Sequence, residues 1–342
     1  MADPGDTDAT EGLPEDALIA RHFRPLAAGY PGALGLRDDA ALVEVAGHED
    51  LVVTTDTLIA GVHFLAGDDP ADIAFKALAV NISDLAAKAA KPVAYSLALA
   101  LPRGTAEAWI AGFAGGLRLA QERFGIGLSG GDTTASPAGP LVISVTAFGS
   151  VAKGRMIRRG GAGAGDRLYV SGTIGDAALG LKLHLDEAGT RGWPLDRALR
   201  DMLIGRYLHP EPRLGLRAAL LDAATAAMDV SDGLAIDCTR LCAASGVAAQ
   251  IETAKVPLSG ATRLVLAAQP DLLETILTGG DDYEILAAVP PARKPAFEAA
   301  ARTAGIPVTP IGMLGNGAPT LTVLSAGGSP MPFSRLGYNH QI

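Results

Sequence analysis

Six short segments of the 342-residue chain place an aspartate next to an apolar run, and in five of them the aspartate has Gly, Ser or Thr as a neighbour. An aspartate at the end of a buried element must be protonated, hydrogen-bonded, paired with a cation or bound to a metal, because an unpartnered buried carboxylate is costly. The segments contain few Lys or Arg residues, so converging carboxylates would repel one another unless divalent ions neutralised them. The segments are RDDAAL (37–42), TTDTLIAGVHF (54–64), NISDLAA (81–87), SGGDTT (129–134), MDVSDGL (228–234) and TGGDDYE (278–284).

The chemistry that these segments favour is phosphoryl transfer assisted by a metal ion. Oxygen ligands without cysteine are typical of Mg²⁺ or Ca²⁺, and the absence of a calcium-binding loop pattern favours Mg²⁺, which binds one or two carboxylates plus substrate phosphates. Positioning and charge neutralisation supply most of the catalysis in phosphoryl transfer. We predict the GGD segments to be turns in which glycine lets backbone N–H groups approach a phosphate. Arg155, Arg158 and Arg159 can supply counter-charge.

Each feature taken singly has a simpler interpretation. One Asp-Gly sequence is more often an ordinary turn than a metal site, and Asp176 is as compatible with a helix N-cap as with a ligand. His63 is equally compatible with a hydrogen-bonded core histidine, and the arginines with a solvated loop. The six segments together favour a metal-dependent site but identify no substrate.

Several familiar signatures are missing from the sequence. There is no P-loop and no protein-kinase HRD or DFG sequence. Gly125, Gly127 and Gly130 form a GxGxxG pattern, but it follows a predicted helix instead of a strand, so we reject a dinucleotide site. Cys238 and Cys242 are four residues apart in a predicted helix, and we interpret them as buried thiols. No Cys/His cluster indicates a structural zinc site.

The composition is that of a folded protein with one large domain or two ordinary ones. Hydrophobic residues make up 49% of the chain and charged residues 19%, with a net charge of −9. This charge argues against nucleic acid as the main partner, because phosphate contacts need clustered Lys and Arg. No apolar run approaches the ~20 residues needed to span a bilayer, and the acidic N-terminal sequence lacks a signal-peptide pattern. We therefore expect a cytoplasmic protein without a membrane partner.

The elements that would position the aspartates mix helices and strands throughout. We predict a strand over 50–56 that ends at Asp56 and a helix from about 71 to 91. The basic, glycine-rich segment 152–166 interrupts the pattern, so we place a domain boundary at its start. The prediction is a flexible acidic tail (1–15), an N-terminal domain (16–151) and a C-terminal domain (152–342), with α/β and α+β character.

From about residue 15 onward, the aspartate segments resemble thiamine-monophosphate kinases in order and spacing. The most specific are TTDTLIAGVHF and NISDLAAKAAKP, and the others are RDDAALVEV, GGDTT, RGGAGAGDRLYVSGTIGDAALGL, MDVSDGL and GGDDYEI. The resemblance implies ATP-dependent conversion of thiamine monophosphate to thiamine diphosphate, by direct in-line transfer with several Mg²⁺ ions. It also implies a homodimer that forms through the sheet of an N-terminal mixed-sheet ATP-binding domain, and a C-terminal α+β domain that covers the site.

The resemblance also assigns site residues position by position. The positions that bind Mg²⁺ in the family correspond to Asp39, Thr54, Thr55, Asp56, Asp84, Asp132, Asp229 and Asp232. Those that contact ATP correspond to Gly131, Asp132, Arg159 and Ser231, and those that contact thiamine monophosphate to His63, Asp281 and Tyr338. No covalent nucleophile is implied, and Asp132 and Asp56 are the central residues. Two positions depart from the family pattern: Arg37 replaces the glycine of GDDAA, and Asp281 replaces the first glutamate of GGEDYE.

Two other interpretations stay open. The first is another ATP-using enzyme of the same superfamily. Selenophosphate synthetase would need a reactive cysteine or selenocysteine near its N-terminus, the hydrogenase maturation protein ends in a functional cysteine, and aminoimidazole ribonucleotide synthetase lacks the TTDTLIAGVHF form. Here the first cysteine is Cys238 and the sequence ends in YNHQI, which makes these matches weaker. The second is a non-catalytic acidic protein that binds divalent cations for stability.

Overall fold

The computed structural model describes residues 18–36 and 43–338. The predicted tail over 1–15, and Asp39 with its neighbour Arg37, lie outside the described residues. The rest of the chain divides into two compact units. The first unit contains residues 55–78 and 93–148 with the described residues before 45, and the second contains 45–54, 79–92 and 149–338. The predicted boundaries at residues 15 and 151 stay predictions.

Two mixed sheets are present in the described ranges, which confirms the predicted two-domain α/β and α+β fold class. One sheet contains β1 (Glu49–Ile59), β2 (Lys91–Pro102), β3 (Gly127–Ser136) and β4 (Val142–Ala152), in the order β1-β4-β2-β3. The other contains β5 (Arg167–Ser171), β6 (Ala226–Val230), β7 (Ala248–Glu252), β8 (Glu284–Val289), β9 (Val308–Gly315) and β10 (Leu321–Leu324), in the order β10-β7-β9-β5-β8-β6. Strands β2 and β3 run parallel, as do β7 and β10, whereas the other pairs of the six-stranded sheet run antiparallel.

Helices connect most of these strands. They are α1 (Arg24–Ala27), α2 (Pro70–Ala87), α3 (Glu107–Phe124), α4 (Asp176–His184), α5 (Arg197–Leu208), α6 (Arg217–Ala223), α7 (Leu234–Ser245), α8 (Gly260–Ala268), α9 (Leu273–Thr278) and α10 (Lys294–Thr303). A π-helical turn over Ile19–Phe23 precedes α1, and a 3₁₀ segment over Pro31–Leu36 follows it. In the described part of the chain, no helix has the length and apolar character needed to cross a membrane.

Helix α2 carries Asp84, one of the predicted metal-binding residues. It begins where the Asp69 carboxylate accepts a hydrogen bond from the Ala71 N–H (2.8 Å), with Pro70 in the first position, which suits a helix start. The predicted end at about residue 91 is wrong. The helix stops at Ala87 because Ala89 adopts a left-handed conformation (φ 54°), which a continuing helix cannot contain.

The six-stranded sheet is covered on both faces, as the alternation of β5 illustrates. Leu168 and Val170 belong to an apolar cluster that includes the buried side of α7, and Tyr169 belongs to a second cluster that includes residues of α6 and α10. Side chains that alternate along a strand point to opposite faces, which explains this division. Cys238 and Cys242 lie in the first cluster, buried and without a disulfide, as predicted.

Candidate functional site

In the second unit, the end of α2 brings three predicted metal-binding residues together. The buried Asp229 carboxylate, on β6, accepts a hydrogen bond from the Ser83 hydroxyl at 2.7 Å. The adjacent residue, Asp84, accepts one from the Thr54 hydroxyl at 2.5 Å. Thr54, Asp84 and Asp229 therefore form one cluster of oxygen atoms, although they are far apart in the sequence.

The carboxylates of this cluster are negatively charged groups that are partly shielded from solvent. Burial, together with the charge of Asp84, raises the pKa of Asp229 to about 8, and the hydrogen bond from Ser83 opposes the shift. Lys88 follows α2 and donates from Nζ to the Ala227 carbonyl at 2.9 Å. Burial lowers the pKa of Lys88, the carboxylates of Asp229 and Asp84 raise it, and the charge of Arg159 lowers it. Lys88 thus lies near the carboxylates of Asp84 and Asp229, and Arg159 lies near Lys88.

The loop after β6 joins the predicted ATP-binding and substrate-binding residues through backbone hydrogen bonds. The Asp281 N–H donates to the Ser231 carbonyl at 2.8 Å. The Tyr338 N–H donates to the Asp232 carbonyl at 2.9 Å. Ser231, Asp232, Asp281 and Tyr338 therefore converge, which their sequence separation alone does not dictate.

The turn before β8 depends on unusual backbone conformations. Gly280 has φ +76°, and a Cβ atom there would lie 2.5 Å from the Ser231 carbonyl oxygen, so only glycine fits without movement. Asp281 (φ 62°) and Tyr283 (φ 49°) are also left-handed, which is uncommon for residues with side chains. The Tyr283 hydroxyl donates to Asp281 Oδ1 at 3.1 Å and fixes one carboxylate oxygen. The predicted strand is confirmed from Glu284, whereas residues 279–283 form an irregular segment instead of a regular turn.

A buried ion cluster anchors the strand that follows this turn. The Glu284 carboxylate accepts from Arg206 at 2.8 Å, from Arg213 at 2.5 Å and from the Ser171 hydroxyl at 2.6 Å. Two guanidinium groups and a hydroxyl offset the cost of burying this charge. Glu284 is therefore interpreted as structural support for the turn.

In the first unit, strand geometry separates the neighbours Thr55 and Asp56. The predicted strand end at Asp56 is wrong, because β1 continues to Ile59 within the four-stranded sheet. Asp56 is half-buried on the same face of β1 as Thr54, whereas Thr55 is exposed on the other face, with its hydroxyl 2.9 Å from that of Thr146. The Thr55 and Asp56 side chains point to opposite faces of the sheet. If both residues bind the same metal ion, Thr55 must therefore contribute its backbone carbonyl.

Gly131 and Asp132 lie within a strand, so the predicted turn at the first GGD is wrong. Strand β3 continues because it pairs with β2, with Gly131 opposite Leu97 and Asp132 opposite Ala98. A Cβ atom on Gly131 would lie 1.9 Å from the Leu97 carbonyl oxygen. The pairing register shifts just before the glycines, where the buried Ser129 hydroxyl donates to the Tyr95 carbonyl at 2.8 Å. Such bulges re-aim neighbouring side chains.

The same two residues line the mouth of a cavity of about 510 Å³. Asp132 is exposed there, and the cavity walls include the apolar side chains of Phe23, Leu97 and Phe148. A cavity that combines apolar side chains with a small number of polar groups is the usual form of a small-molecule site.

His63 is half-buried, and its tautomer follows from one contact. The Ile59 N–H donates to His63 Nδ1 at 3.0 Å, so Nδ1 is the acceptor nitrogen. In the neutral ring Nε2 then carries the proton and is a donor. The buried Lys76, on α2, donates from Nζ to the His63 carbonyl at 3.2 Å and so ties this segment to the helix.

Two ambiguous sequence features have structural partners. The buried Asp176 carboxylate, at the start of α4, accepts from the hydroxyls of Thr173 and Thr262 at 2.6 and 2.5 Å. Arg155 donates to the Leu221 carbonyl at 2.7 Å, which engages one of the three basic side chains of its segment. Over residues 18–36 and 43–338, no three His, Cys, Asp or Glu side chains gather in an arrangement that could hold a metal by themselves. The ligand and substrate roles assigned by resemblance stay predictions.

The sequence analysis missed the side chains that hold the predicted ones in place. Ser83 and Tyr283 each bond to a predicted site carboxylate, and Asp237 accepts from the backbone of Ser231 and Asp232. Asp237 had a usable signal. In the sequence DGLAID it lies in the first turn of a helix that starts directly after the loop, where a carboxylate can reach back to N–H groups.

Comparison with known proteins places the chain among characterised sequences and folds. The N-terminal domain of the AIR synthase related proteins matches residues 37–151, and their C-terminal domain matches residues 163–323. The thiamine-monophosphate kinase of Caulobacter vibrioides is 43% identical over 325 residues, which cover 94% of this chain and 89% of that protein.

Two solved structures extend the likeness to three dimensions. The crystal structure of thiamine-monophosphate kinase from Stenotrophomonas maltophilia K279a has a TM-score of 0.76 and 41% identity, covering 84% of this chain and 89% of that one. The structure of AaThiL complexed with AMPPCP and TMP has a TM-score of 0.75 and 31% identity, covering 89% of this chain and 91% of that one.

Proposed function

Because the chain belongs to the thiamine-monophosphate kinase family, we propose that it transfers the γ-phosphoryl group of ATP to thiamine monophosphate and releases thiamine diphosphate and ADP. The observation that carries the proposal is 43% identity to a thiamine-monophosphate kinase over 94% of the chain. A related structure complexed with AMPPCP and TMP supports the choice of both substrates.

Several Mg²⁺ ions are the proposed cofactor, and the donor set fits them. Thr54, Asp84 and Asp229 present oxygen atoms only, which suits a hard divalent cation. The raised pKa of Asp229 next to Asp84 marks a place where added positive charge would be favourable. Mg²⁺ usually takes one or two carboxylates and completes its shell with water and phosphate oxygens, so few protein ligands are needed at each ion. When bound, Mg²⁺ neutralises phosphate charge.

The remaining metal and nucleotide contacts are proposed residue by residue. Asp56, Asp132 and Asp232 are the further proposed carboxylate ligands, and Gly131, Arg159 and Ser231 the further ATP contacts. The cavity lined by Gly131 and Asp132 also contains apolar side chains, among them Phe23 and Phe148, against which a purine base can pack. The exposed Arg159 brings a guanidinium group that pairs well with phosphate.

His63, Asp281 and Tyr338 are the proposed contacts to thiamine monophosphate. His63 can donate from Nε2 to a phosphate oxygen, because Nδ1 already accepts from the backbone. Asp281 can accept from the exocyclic amine of an aminopyrimidine, with one carboxylate oxygen held by Tyr283. Asp281 is one methylene shorter than glutamate, so its carboxylate reaches less far toward the substrate.

The proposed mechanism needs no covalent intermediate. The acceptor is a phosphate oxygen that is already anionic near neutral pH, so little general-base help is required. The residues described above act by fixing the two phosphates in line and by stabilising negative charge, which are the main sources of catalysis in this reaction class.

We further propose that the protein works in the cytoplasm as a homodimer that associates through its four-stranded sheet. Strand β1 lies at an edge of that sheet, and its side chains Leu51 and Val53 are 43% and 53% exposed. An edge strand with exposed apolar residues favours pairing with another chain.

An acceptor panel tests the proposed reaction against its relatives. The purified protein is incubated with ATP and Mg²⁺ and with thiamine monophosphate, thiamine or no acceptor, and ADP and thiamine products are separated by chromatography. We expect ADP formation to require thiamine monophosphate. ADP formation without a thiamine product would instead indicate another ATP-using enzyme of the superfamily.

The non-catalytic alternative has a thermal signature. A protein that binds divalent cations only for stability gains melting temperature with Mg²⁺ and gains nothing more from a non-hydrolysable ATP analogue. The proposed kinase gains a second increment with the analogue, because any ligand that binds only the folded state stabilises it.

A further inference from the structure

Asp237, on α7, is a fully buried carboxylate with no part in the proposed chemistry. Its Oδ2 atom accepts hydrogen bonds from the backbone N–H groups of Ser231 and Asp232, each at 3.0 Å. Two bonds to consecutive amides fix the path of the loop more tightly than one, and an ionised acceptor makes both stronger. The loop that holds the proposed ATP and Mg²⁺ contacts is therefore bonded to the first turn of α7.

Arg240 makes the buried charge tolerable. One nitrogen of its guanidinium donates to Asp237 Oδ1 at 2.8 Å and also to the Asp232 carboxylate. A buried carboxylate that accepts two amides and one guanidinium has its oxygens largely satisfied, which offsets its desolvation. Arg240 is about one-third exposed, so it also links the buried group to the loop surface.

The same loop is bonded on its other side to the substrate segments. The carbonyls of Ser231 and Asp232 accept from the N–H groups of Asp281 and Tyr338 at 2.8 and 2.9 Å. Each of the two loop residues thus has its N–H held by Asp237 and its carbonyl held by a segment assigned to thiamine monophosphate. A shift of the loop would move both sets of contacts.

We propose that Asp237, neutralised by Arg240, is a positioning residue that sets the geometry of Ser231 and Asp232 for binding of Mg²⁺ and nucleotide. The inference rests on the proposed function for the identity of the ligand. The effect of Asp237 on the loop geometry does not depend on the proposed function, and hydrogen–deuterium exchange measures that effect without any ligand.

The test compares Asp237→Asn and Arg240→Gln with the wild type by hydrogen–deuterium exchange and calorimetry. We expect Asp237→Asn to speed amide exchange over residues 230–233 by about tenfold, with no change over the buried strand 167–171. Binding of a non-hydrolysable ATP analogue with Mg²⁺ weakens by about tenfold, which corresponds to ~1.4 kcal/mol. Arg240→Gln keeps the buried carboxylate and shifts both readouts in the same direction by a smaller factor.

Asp201→Asn is the matched control, because it makes the same substitution in an exposed i,i+4 pair with Arg197 on α5. It leaves exchange and binding unchanged. The proposal is overturned if folded Asp237→Asn shows unchanged exchange over 230–233 and unchanged binding of the analogue. It is also overturned if exchange accelerates evenly over all peptides, because that result indicates a general structural role for Asp237. If Asp237→Asn does not fold, Arg240→Gln decides alone. Failure of the wild type to bind the analogue would refute the proposed function, while the exchange data still judge the positioning role.

Discussion

At the scale of single residues, the candidate carboxylates differ mainly in their surroundings. Asp229 is buried and bonded to Ser83, Asp84 is bonded to Thr54, and Asp132 is exposed at the mouth of a cavity. Sequence patterns identified the acids but not these environments, because hydroxyl partners such as Ser83 are recognisable only once α2 and β6 are adjacent. The environments decide which substitutions change activity and which also change stability.

Asp56→Asn and Asp132→Asn are expected to abolish most turnover and leave the fold intact. Each removes a proposed ligand charge while keeping side-chain size, and loss of a transition-state contact of this kind costs about 100-fold or more. Both residues are only half-buried or exposed, so the melting temperature should move by only a few degrees. The measurement is kcat alongside thermal unfolding, with the exposed Asp186→Asn as control. Wild-type turnover in either variant would remove that residue from the metal assignment.

Asp229→Asn is expected to lose activity but to gain stability above about pH 6 in metal-free buffer. The pKa of Asp229 is raised from 3.8 to about 8 in the folded state, mainly by burial. The folded protein therefore binds more protons than the unfolded chain between these values, so its stability falls as pH rises through that window. The amide side chain introduced by Asp229→Asn does not titrate, so this decrease in stability with rising pH disappears. Thermal unfolding from pH 5 to 8 measures it, and equal slopes for the wild type and Asp229→Asn would contradict the explanation.

At the scale of elements, the sequence predicted the type of most segments but misplaced several ends. The helix predicted to reach residue 91 stops at Ala87, and the strand predicted to stop at Asp56 continues to Ile59. The first GGD was predicted as a turn because of its glycines, yet pairing with β2 keeps it extended. Tertiary pairing overrides local preference at such positions. Gly131 is there because a neighbouring strand passes too close for a side chain.

Gly131→Ala tests this explanation of β3. The added Cβ would lie 1.9 Å from the Leu97 carbonyl oxygen, so the strands must separate, and we expect a loss of ~1–3 kcal/mol in the free energy of unfolding. The KM for ATP should rise as well, because Asp132 moves with the strand. Gly115→Ala on α3 is the control, since nothing lies within 4 Å of its Cβ position and alanine favours a helix. Similar unfolding curves for the two variants would show that β3 tolerates a side chain.

At the scale of the whole molecule, the resemblance predicted the fold class and the family, and the two mixed sheets and the comparisons confirm both. The bonds between the loop after β6 and the segments at Asp281 and Tyr338 could not be predicted from the sequence. Such bonds depend on long-range topology, not on local pattern.

The proposed homodimer should dissociate when charge is placed on β1. Leu51→Asp combined with Val53→Asp puts two carboxylates on the exposed face of the edge strand β1, where burial against a second chain becomes unfavourable. Light scattering after size exclusion should then report 34.8 kDa instead of twice that mass. Leu119→Asp, on α3 and 59% exposed, is the control and should remain dimeric. A wild type that is monomeric at all concentrations would contradict the proposal.

The most direct test of the kinase proposal follows the transferred phosphoryl group itself. The wild-type protein is incubated with ATP labelled in the γ-phosphate, thiamine monophosphate and Mg²⁺, and the label is followed in the products and in the protein. We predict that the label appears in the terminal phosphate of thiamine diphosphate in amounts equal to ADP, only with Mg²⁺, and never on the protein. Label released as inorganic phosphate without thiamine diphosphate would contradict the account.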